Sequence, residues 1–431
     1  MIDHDFVTGY PLDNLIQLGE MLIKEREQVG DTELVMWKSD IAEAYRACPM
    51  HPCWQIKQAI RVGDEYYIDR ANVFGGSGSG AIFIAVNSLV AWVAKYECGI
   101  SNLMTYVDDS SGIDLKGDEL YYEPYHKSLP RHQAILLELW DNLGIPHKER
   151  KQIAGSPIPV IGISVDPNLM SFTLPEDSLR HLLEELQEWC KKGARFKLKQ
   201  WQQMAGWFNW GLNVYPLLRP ALNNLYPKIQ GKQAPNEKIW VNKAIKEDFE
   251  WAKKKMECST GVLLLRSLSW DINNALHTIL CDACPEGMGF WYPNLLLAFY
   301  ARTPSATLTS LISFYEALCV LSALREAHYR SPLKSRFVIY TDNFNAVSIF
   351  NSLQALPDYN CIIKAAVDIL SNGDHDLRVL HIPGEQNQVA DALSHCRFLH
   401  ALHLVPQLSI SMFQPYIRIA RLNQPCILQP P

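Results

Sequence analysis

The sequence predicts a multidomain protein that combines α/β and α+β architecture. Its 431 residues are enough for about three domains of ordinary size. Strand-like segments broken by glycines extend to about residue 170, an amphipathic helical pattern follows from Pro175, and a regular succession of strands and helices begins near residue 270. We therefore predict folding units at residues 1–170, 171–265 and 266–397, and we leave the tail at 398–431 unassigned.

Composition narrows the class of protein. Hydrophobic residues make up 48% and charged residues 20%, which indicates globular domains and excludes a disordered or collagen-like chain. The net charge of −6 argues against a wholly basic nucleic-acid coat, but it leaves room for a local basic groove. The 11 scattered cysteines indicate reduced thiols. The polar N-terminus has no signal-peptide pattern, and the longest apolar run, 81–94, is too short to span a bilayer, so we expect an intracellular protein without a membrane segment.

The first region places acidic residues at strand ends. Residues 35–39 read as a strand that ends at Asp40, and 103–114 read as strand, turn and strand with Asp108 and Asp109 at the turn. Residues 66–74 also read as a strand, which the glycine run at 75–80 breaks before a helix at 81–96. Adjacent carboxylates repel each other, so a pair at this position favours a bound divalent cation. A solvated Asp-Asp turn is the alternative.

The middle region is predicted to be helical. Apolar residues recur with a helical period between 179 and 190, and residues 231–237 resemble a polar linker. A basic stretch between the first two helical segments is a candidate for binding nucleic-acid phosphates, with a solvated helix end as the alternative. Its residues are Lys191, Lys192, Arg195, Lys197 and Lys199.

The last region predicts an α/β layer with an antiparallel meander at one edge. The pattern gives strands at 275–282, 287–292, 295–302, 336–342 and 377–382, and helices at 310–330, 345–353, 360–371 and 386–395. Asp282 and Asp342 end strands, Glu316 projects from an apolar helix face, and Asp391 begins the last helix. Because strand ends converge at one edge, we expect these four carboxylates to meet, and a metal ion would offset the cost of burying them.

Three segments of the first region carry a family resemblance. KSDIAEAYRACPMHP at 38–52, NVFGGSGSGAIF at 72–83 and TYVDDS at 105–110 resemble, in this order, the palm motifs of reverse transcriptases. The resemblance implies that Asp40, Asp108 and Asp109 hold Mg²⁺ or Mn²⁺, with two ions per active site.

The same resemblance assigns residues around the incoming nucleotide. Tyr45 would be the steric gate that rejects a 2′-OH, and Phe74 and Gly75 would border the dNTP. Lys151, with Lys148 as rival, would donate the proton to pyrophosphate. Gly80 stands where the family usually has proline, so we expect a looser backbone there.

Four segments of the last region resemble ribonuclease H. They are TILCDA, FYEAL, YTDNFNAV and HIPGEQNQVADALSH. The resemblance implies that Asp282, Glu316, Asp342 and Asp391 hold two metal ions and that the domain hydrolyses RNA in an RNA–DNA hybrid. Many relatives carry histidine directly after Pro-Gly, whereas this chain has Glu385, so we expect proton transfer or product release to differ.

Taken as a whole, the chain resembles a retrotransposon polyprotein with reverse transcriptase and ribonuclease H, of the DIRS-like type. WFNWGLNVYPLLRPALNNLYPKI and TDNFNAVSIFNSLQALP carry this finer likeness. The implied partners are an RNA or DNA template-primer, dNTPs and an RNA–DNA hybrid. Relatives carry a fingers region before the first aspartate, and only 39 residues precede Asp40 here, so we expect N-terminally truncated fingers and weak polymerisation.

Other interpretations stay open at this stage. One alternative is that the chain is a truncated or domesticated nucleic-acid binder that does not polymerise and retains at most ribonuclease H activity. Gly76-x-Gly78-x-x-Ala81 loosely fits a dinucleotide fingerprint, which would indicate an oxidoreductase. Cys281-x-x-Cys284 has no second pair at a suitable spacing, so it predicts small core thiols rather than a zinc site.

Overall fold

The structure, a computed structural model, describes residues 12–76, 78–265, 270–303, 312–331 and 333–415. It is a mixed α/β structure with several sheets, and it divides into two compact units. The first unit comprises Met1–Glu176 with Val262–Leu268, and the second comprises Asp177–Gly261 with Ser269–Pro431.

The regular elements are numbered here in chain order. The helices are α1 (Leu15–Val29), α2 (Pro52–Gln55), α3 (Ser79–Tyr96), α4 (Arg131–Leu143), α5 (Glu176–Cys190), α6 (Leu198–Gly211), α7 (Leu225–Ile229), α8 (Lys243–Cys258), α9 (Ile312–Arg330), α10 (Phe344–Ser352), α11 (Asn360–Gly373), α12 (Gln388–Ser394) and α13 (Phe398–Leu404). The strands are β1 (Leu34–Asp40), β2 (Ala59–Val62), β3 (Glu65–Ile68), β4 (Met104–Tyr106), β5 (Asp109–Leu115), β6 (Glu119–Tyr122), β7 (Lys127–Pro130), β8 (Ile153–Gly155), β9 (Ile158–Val160), β10 (Ile163–Asp166), β11 (Ser171–Thr173), β12 (Arg195–Lys197), β13 (Lys238–Trp240), β14 (Val262–Leu264), β15 (His277–Ala283), β16 (Gly287–Tyr292), β17 (Leu297–Arg302), β18 (Arg336–Thr341), β19 (Asp376–His381) and β20 (Ser409–Met412).

A four-stranded antiparallel sheet of order β4-β5-β1-β8 forms the centre of the first unit. Trp37 on β1 lies directly over Gly112 on β5, where a Cβ atom would approach the indole to 2.3 Å. Glycine is therefore required for the tryptophan to pack flat on the sheet. Trp37, Phe83 and Trp140 belong to one buried cluster, which fixes α3 and α4 against the sheet.

Helix α3 is the one described helix that is long and apolar enough to cross a membrane by length and composition. A third of its residues are buried in the first unit. Phe83, Val90 and Ala94 belong to that core, and Asn87 reaches the turn between β4 and β5. The core helix of a globular unit passes the same test of length and composition.

The second unit is built on a six-stranded sheet of order β19-β18-β15-β16-β17-β20. Strands β15, β16 and β17 run antiparallel, whereas β18 is parallel to β15 and β19 is parallel to β18. Helices α9 and α11 bury their apolar residues in the main core cluster, and α12 and α13 contribute to a separate cluster with Ala298 of β17.

The same unit contains the helices of the middle region, which are α6 to α8 and most of α5. Asp248 on α8 is 3% exposed and forms an ion pair with Lys364 of α11, at 3.0 Å, and a hydrogen bond with Asn360. Burial raises the pKa of Asp248, and Lys364 offsets that cost. This polar contact fixes α8 against α11.

Several sequence predictions are confirmed and others are wrong. The strands and helices predicted between residues 275 and 395 are present with shifts of a few residues at their ends, although positions 310 and 311 lie outside the described residues. The strand predicted at 66–74 is wrong, because only Glu65–Ile68 is a strand and it pairs with β2. The meander is not at an edge, because β20 of the unassigned tail pairs parallel with β17 and covers its open hydrogen-bonding groups.

Candidate active sites

The first acidic site lies where β1 ends and β5 begins. Their antiparallel register places Asp40 opposite Asp109, and Asp108 precedes it in the β4–β5 turn. Val107 has a positive φ of 56°, which is strained for a β-branched residue. Asn87 Nδ2 donates to the Val107 carbonyl at 2.8 Å, and the Ile41 N–H donates to the Asp108 carbonyl at 3.1 Å. These two bonds hold the turn, and the sequence signal for Asn87 was a polar residue inside an apolar helix.

Two lysines neutralise this site. Lys151 Nζ lies 2.5 Å from Asp40 Oδ1, and Lys38 Nζ lies 2.7 Å from Asp109 Oδ2. Burial, followed by the charges of Asp40 and Asp109, raises the pKa of Asp108. Among the described residues these three acids do not form a group with ligand atoms within 4.8 Å of one another. The oxygen donors suit Mg²⁺, but two of the three carboxylates already have a cationic partner.

The predicted nucleotide-binding residues lie together. The ring of Tyr45 is 5.1 Å from that of Phe74 and 5.5 Å from that of Phe83. Phe74 is 66% exposed, so its ring is open to a ligand. Gly75 has a φ of +87°, which explains glycine at this position.

Lys151 and Lys148 differ in what they contact. Lys151 pairs with Asp40, whereas the Lys148 carbonyl accepts a hydrogen bond from Gln152 Nε2 at 3.0 Å. Of these two contacts, only the one made by Lys151 involves a lysine amine and an acid of the first site. A dinucleotide-binding fingerprint directly follows a strand. Here Phe74 and Gly75, shortly before α3, form a turn and not a strand, so the structure lacks the context that the dinucleotide alternative requires.

The second acidic site lies where β15 and β18 end side by side. Asp282 is near the end of β15, Asp342 follows β18, and Glu316 projects from α9. One carboxylate oxygen of each lies within 4.8 Å of the others. The expected convergence of these three carboxylates is present, because parallel strands bring their carboxyl ends to one edge. Gly384 lies close by, since a Cβ there would be 3.4 Å from Asp342 Oδ2.

At the second site, burial favours the protonated forms of two acids. Glu316 is 4% exposed, and burial, together with the charges of Asp282 and Asp342, raises its pKa to about 8. Burial raises the pKa of Asp282 to about 6, although the Ser394 hydroxyl opposes the shift. The all-oxygen donor set and the cost of charging these buried acids fit a hard divalent cation such as Mg²⁺.

Asp391, expected to meet the other three acids, lies outside their group and shares a second group with Asp282 alone among them. Asp282, Asp391 and His395 have ligand atoms within 4.8 Å of one another. Arg397 Nη2 lies 2.5 Å from Asp391 Oδ2, and His395 Nδ1 lies 3.3 Å from Asp391 Oδ1. The Ser394 hydroxyl donates to Asp282 Oδ2 at 2.5 Å. Ser394, His395 and Arg397 were not singled out from the sequence, although the first two end the phrase ADALSH.

Glycines explain how α12 approaches the sheet. At Gly289 a Cβ would come within 2.5 Å of Leu393 Cβ, and at Gly287 within 2.5 Å of the Ser394 carbonyl oxygen. The pair Gly287-x-Gly289 therefore permits the close packing that brings Asp391 to Asp282. Cys281 and Cys284 are free and buried, as predicted.

Glu385, which replaces the histidine of many relatives, and the nearby His381 lie in different local settings. His381 stacks on the ring of Phe344 at 3.9 Å, and Phe344 is two residues beyond Asp342. Glu385 lies in the short helical turn Gly384–Gln386 before α12. His395, which lies within reach of Asp282 and Asp391, is the histidine that the structure adds to this site.

The basic stretch forms part of a two-stranded ribbon. Strand β12 pairs with β13, so Lys197 lies opposite Lys238 and Arg195 opposite Trp240. The Arg195 guanidinium lies 5.1 Å from the exposed ring of Trp240. Lys191 forms an ion pair with Glu188, whereas Lys192 and Lys199 are exposed. A like-charge pair across strands is unfavourable, so this ribbon suits a polyanion.

Comparison with known proteins gives distant structural matches and no sequence match. The sequence matches no model of a protein family and no curated protein. Three solved structures of a foamy viral protease-reverse transcriptase align with it. The complex with an RNA/DNA hybrid has a TM-score of 0.41 and 13% sequence identity over 80% of this chain. The dRH form with double-stranded DNA has a TM-score of 0.42 and 15% identity over 82% of this chain, and another complex with double-stranded DNA has a TM-score of 0.41 and 15% identity over 88%. The chain spans 44%, 58% and 67% of the lengths of those chains. Scores at this level carry no inference about this chain.

Proposed function

We propose that this chain is an RNA-directed DNA polymerase joined to a ribonuclease H, and that hydrolysis of RNA in RNA–DNA hybrids is the activity its geometry supports best. The observation that carries the proposal is the group of Asp282, Glu316 and Asp342. These residues come from separate elements of one sheet and its helix, yet their carboxylate oxygens lie within 4.8 Å. The finer proposal of a retrotransposon enzyme of the DIRS-like type rests on the sequence phrases alone.

The ribonuclease H reaction needs a cation at this group. Mg²⁺ or Mn²⁺, two ions per site, would be held by Asp282, Glu316, Asp342 and Asp391, and would supply a water of lowered pKa and stabilise charge on the leaving oxygen. The chain's own groups orient these ligands. Ser394 fixes the Asp282 carboxylate, and Thr341 Oγ1 donates to Glu316 Oε2 at 3.3 Å.

The polymerase reaction would take place at the first site, where a primer 3′-OH attacks a dNTP. Asp40, Asp108 and Asp109 would hold the metal ions of this site. The ring of Tyr45 would clash with a 2′-OH, and Phe74 and Gly75 would border the nucleotide. Lys151, already within reach of Asp40, would donate a proton to the departing pyrophosphate.

The basic ribbon would bind the phosphates of the template-primer and the hybrid. The proposed contacts add Lys238 and Trp240 to the residues predicted from sequence, because a lysine and an exposed aromatic ring lie opposite them on β13. The full set is Lys191, Lys192, Arg195, Lys197, Lys199, Lys238 and Trp240. Replacing Lys197 and Lys238 together should reduce the slope of log affinity against log salt concentration for hybrid binding by about two.

One observation favours a second candidate function, a nucleic-acid binder that retains ribonuclease H activity but does not polymerise. The ion pairs Lys38–Asp109 and Lys151–Asp40 satisfy acids that a polymerase needs for metal binding. A dNTP with its cations would have to displace both lysines.

Primer extension and hybrid cleavage on one preparation test both proposals. We expect Mg²⁺- or Mn²⁺-dependent cleavage that EDTA abolishes. Asp342→Asn should remove cleavage and leave extension, whereas Asp108→Asn should do the reverse, because the two sites lie in different units.

The outcomes separate the candidates. Cleavage without extension at any dNTP concentration would favour the second candidate. Equal loss of both activities in both variants, with the fold intact by circular dichroism, would overturn the two-site assignment. Absence of metal-dependent cleavage in the unaltered protein would overturn the ribonuclease H proposal.

A further inference from the structure

A second group of metal-ligating side chains lies beside the acids of the second site. It consists of Cys284 and Glu286, in the turn between β15 and β16, and His395, directly after α12. Gly287 and Gly289 bring these two segments together, because any side chain there would collide with the end of α12. The juxtaposition is thus a result of the fold and not of one flexible side chain.

The three side chains offer ligand atoms at short range. The Cys284 sulfur, a Glu286 carboxylate oxygen and a His395 ring nitrogen all lie within 4.8 Å of one another. In a tetrahedral zinc site the distances between ligand atoms are about 3.5 Å, given metal–ligand bonds of 2.0–2.3 Å. A small movement of the side chains would bring the ligand atoms to these distances. Glu286 and His395 are exposed, so their side chains have room to make this movement.

The neighbouring groups already orient two of these ligands. Nδ1 of His395 lies 3.0 Å from the Asp391 carbonyl oxygen, and an Nδ1–H bond to a carbonyl leaves Nε2 as the nitrogen available to a metal. The Cys284 thiol donates to the Ser394 carbonyl at 3.2 Å, which holds the sulfur towards α12.

The donor chemistry differs from that of the adjacent acids. Asp282, Glu316 and Asp342 offer oxygen alone, which hard Mg²⁺ prefers. A thiolate, an imidazole and a carboxylate together prefer a borderline-soft ion. We propose that Cys284, Glu286 and His395 bind a divalent cation of the Zn²⁺ class, with water as the fourth ligand.

The site should also inhibit the neighbouring reaction, a consequence that rests on the proposed ribonuclease H function. His395 lies within 4.8 Å of both Asp282 and Asp391, so an ion bound through His395 adds positive charge next to the oxygen ligands. The affinity of those acids for Mg²⁺ should then fall. Zinc would act as an inhibitor that excess Mg²⁺ overcomes.

Cobalt is the probe for the binding site itself. Titration of the reduced full chain with Co²⁺ should give a thiolate-to-cobalt charge-transfer absorption at one equivalent, which Zn²⁺ removes by competition. Cys284→Ser should abolish the absorption, since serine keeps the hydrogen bond to Ser394 but not the thiolate. Glu286→Gln, at an exposed position, should weaken Zn²⁺ binding by at least about tenfold.

Cys396→Ser is the matched control, because Cys396 follows His395 but lies outside the group. Its absorption should equal that of the unaltered protein. A chain without the absorption at saturating Co²⁺, or one in which Cys284→Ser and Cys396→Ser behave alike, would overturn the site. Unchanged Zn²⁺ affinity in Glu286→Gln would overturn the role of the carboxylate.

The inhibitory consequence has its own assay. Hybrid cleavage at fixed Zn²⁺ should require more Mg²⁺ for half-maximal rate, and Glu286→Gln should reduce that shift. Cobalt binding without such a shift would overturn the coupling and leave the site standing. If hybrid cleavage is absent altogether, the cobalt titration still decides whether the metal site exists.

Discussion

Lysines neutralise the acids of the first site, whereas protons reduce the charge of the second. Lys38 and Lys151 pair with Asp109 and Asp40, so two of the three acids of the first site already have a cationic partner. In the described part of the second site, Arg397 forms an ion pair with Asp391, and the pKa of buried Glu316 is raised to about 8. A cation bound by Asp40 and Asp109 must displace lysines, whereas a cation bound by Glu316 must displace a proton. We therefore expect the second site to bind Mg²⁺ more tightly.

The largest effect should come from Glu316→Gln. Loss of a buried metal ligand should lower hybrid cleavage by at least about 10³-fold. The same change should raise the free energy of unfolding in EDTA by about 1–3 kcal/mol at pH 7, because it removes the cost of a buried ionisable group. Cleavage kinetics and denaturant unfolding measure the two effects.

Asp109→Asn is the matched control for the contrast between the two sites. It removes an acid paired with Lys38, so it should abolish extension without any gain in stability. Stabilisation of equal size in both variants would contradict the contrast between the sites.

The next effect concerns Lys151, which both neutralises Asp40 and is the proposed proton donor. Lys151→Ala should lower the rate of extension by about 10²-fold, because general-acid assistance is lost. It should also lower the Mg²⁺ concentration for half-maximal extension, because Asp40 no longer has a competing cation. Lys148→Ala is the control, and a larger loss of rate in that variant would reverse the assignment.

A smaller effect is expected for Tyr45→Ala in the first unit. Removing the ring should raise ribonucleotide incorporation relative to deoxynucleotide incorporation by about tenfold, because the clash with the 2′-OH is lost. Phe83 packs against Tyr45 at 5.5 Å, so Phe83→Leu is a control for altered packing. An unchanged ratio in an active Tyr45→Ala protein would show that Tyr45 is not the gate.

Sequence reasoning succeeded where one strong local pattern fixes a position. Short apolar runs predicted β15 and β18, and parallel strands that end together bring Asp282 and Asp342 to one edge whatever the loops do. The tail could not be placed in this way. Strand β20 is short, and only its pairing with β17 makes it a strand.

Contacts that depend on tertiary register could not be predicted. Lys38 is two residues before Asp40 on β1, yet its amine pairs with Asp109 on β5. Likewise, His395 meets Cys284 only because Gly287 and Gly289 admit α12. The glycine pair was a usable signal, since glycine inside a strand often marks the close approach of another backbone.

The effect that isolates the protons of the second site is the pH dependence of stability. The pKa of Glu316 is raised from 4.5 to about 8, so between these values the folded chain holds a proton that the unfolded chain has lost. This group therefore destabilises the fold progressively as pH rises from about 4.5 to 8. Asp282, with a pKa of about 6, acts in the same direction but only up to pH 6.

Between pH 6 and 8 in EDTA, the unaltered protein should therefore lose about 2 kcal/mol of stability relative to Glu316→Gln. Histidines such as His277 and His375 are common to both proteins and cancel in the difference. Mg²⁺ favours the charged acids, so it should raise the melting temperature more at pH 8 than at pH 6. Parallel slopes for the two proteins would mean that Glu316 does not carry the proton, and the contrast with the lysine-neutralised site would fail.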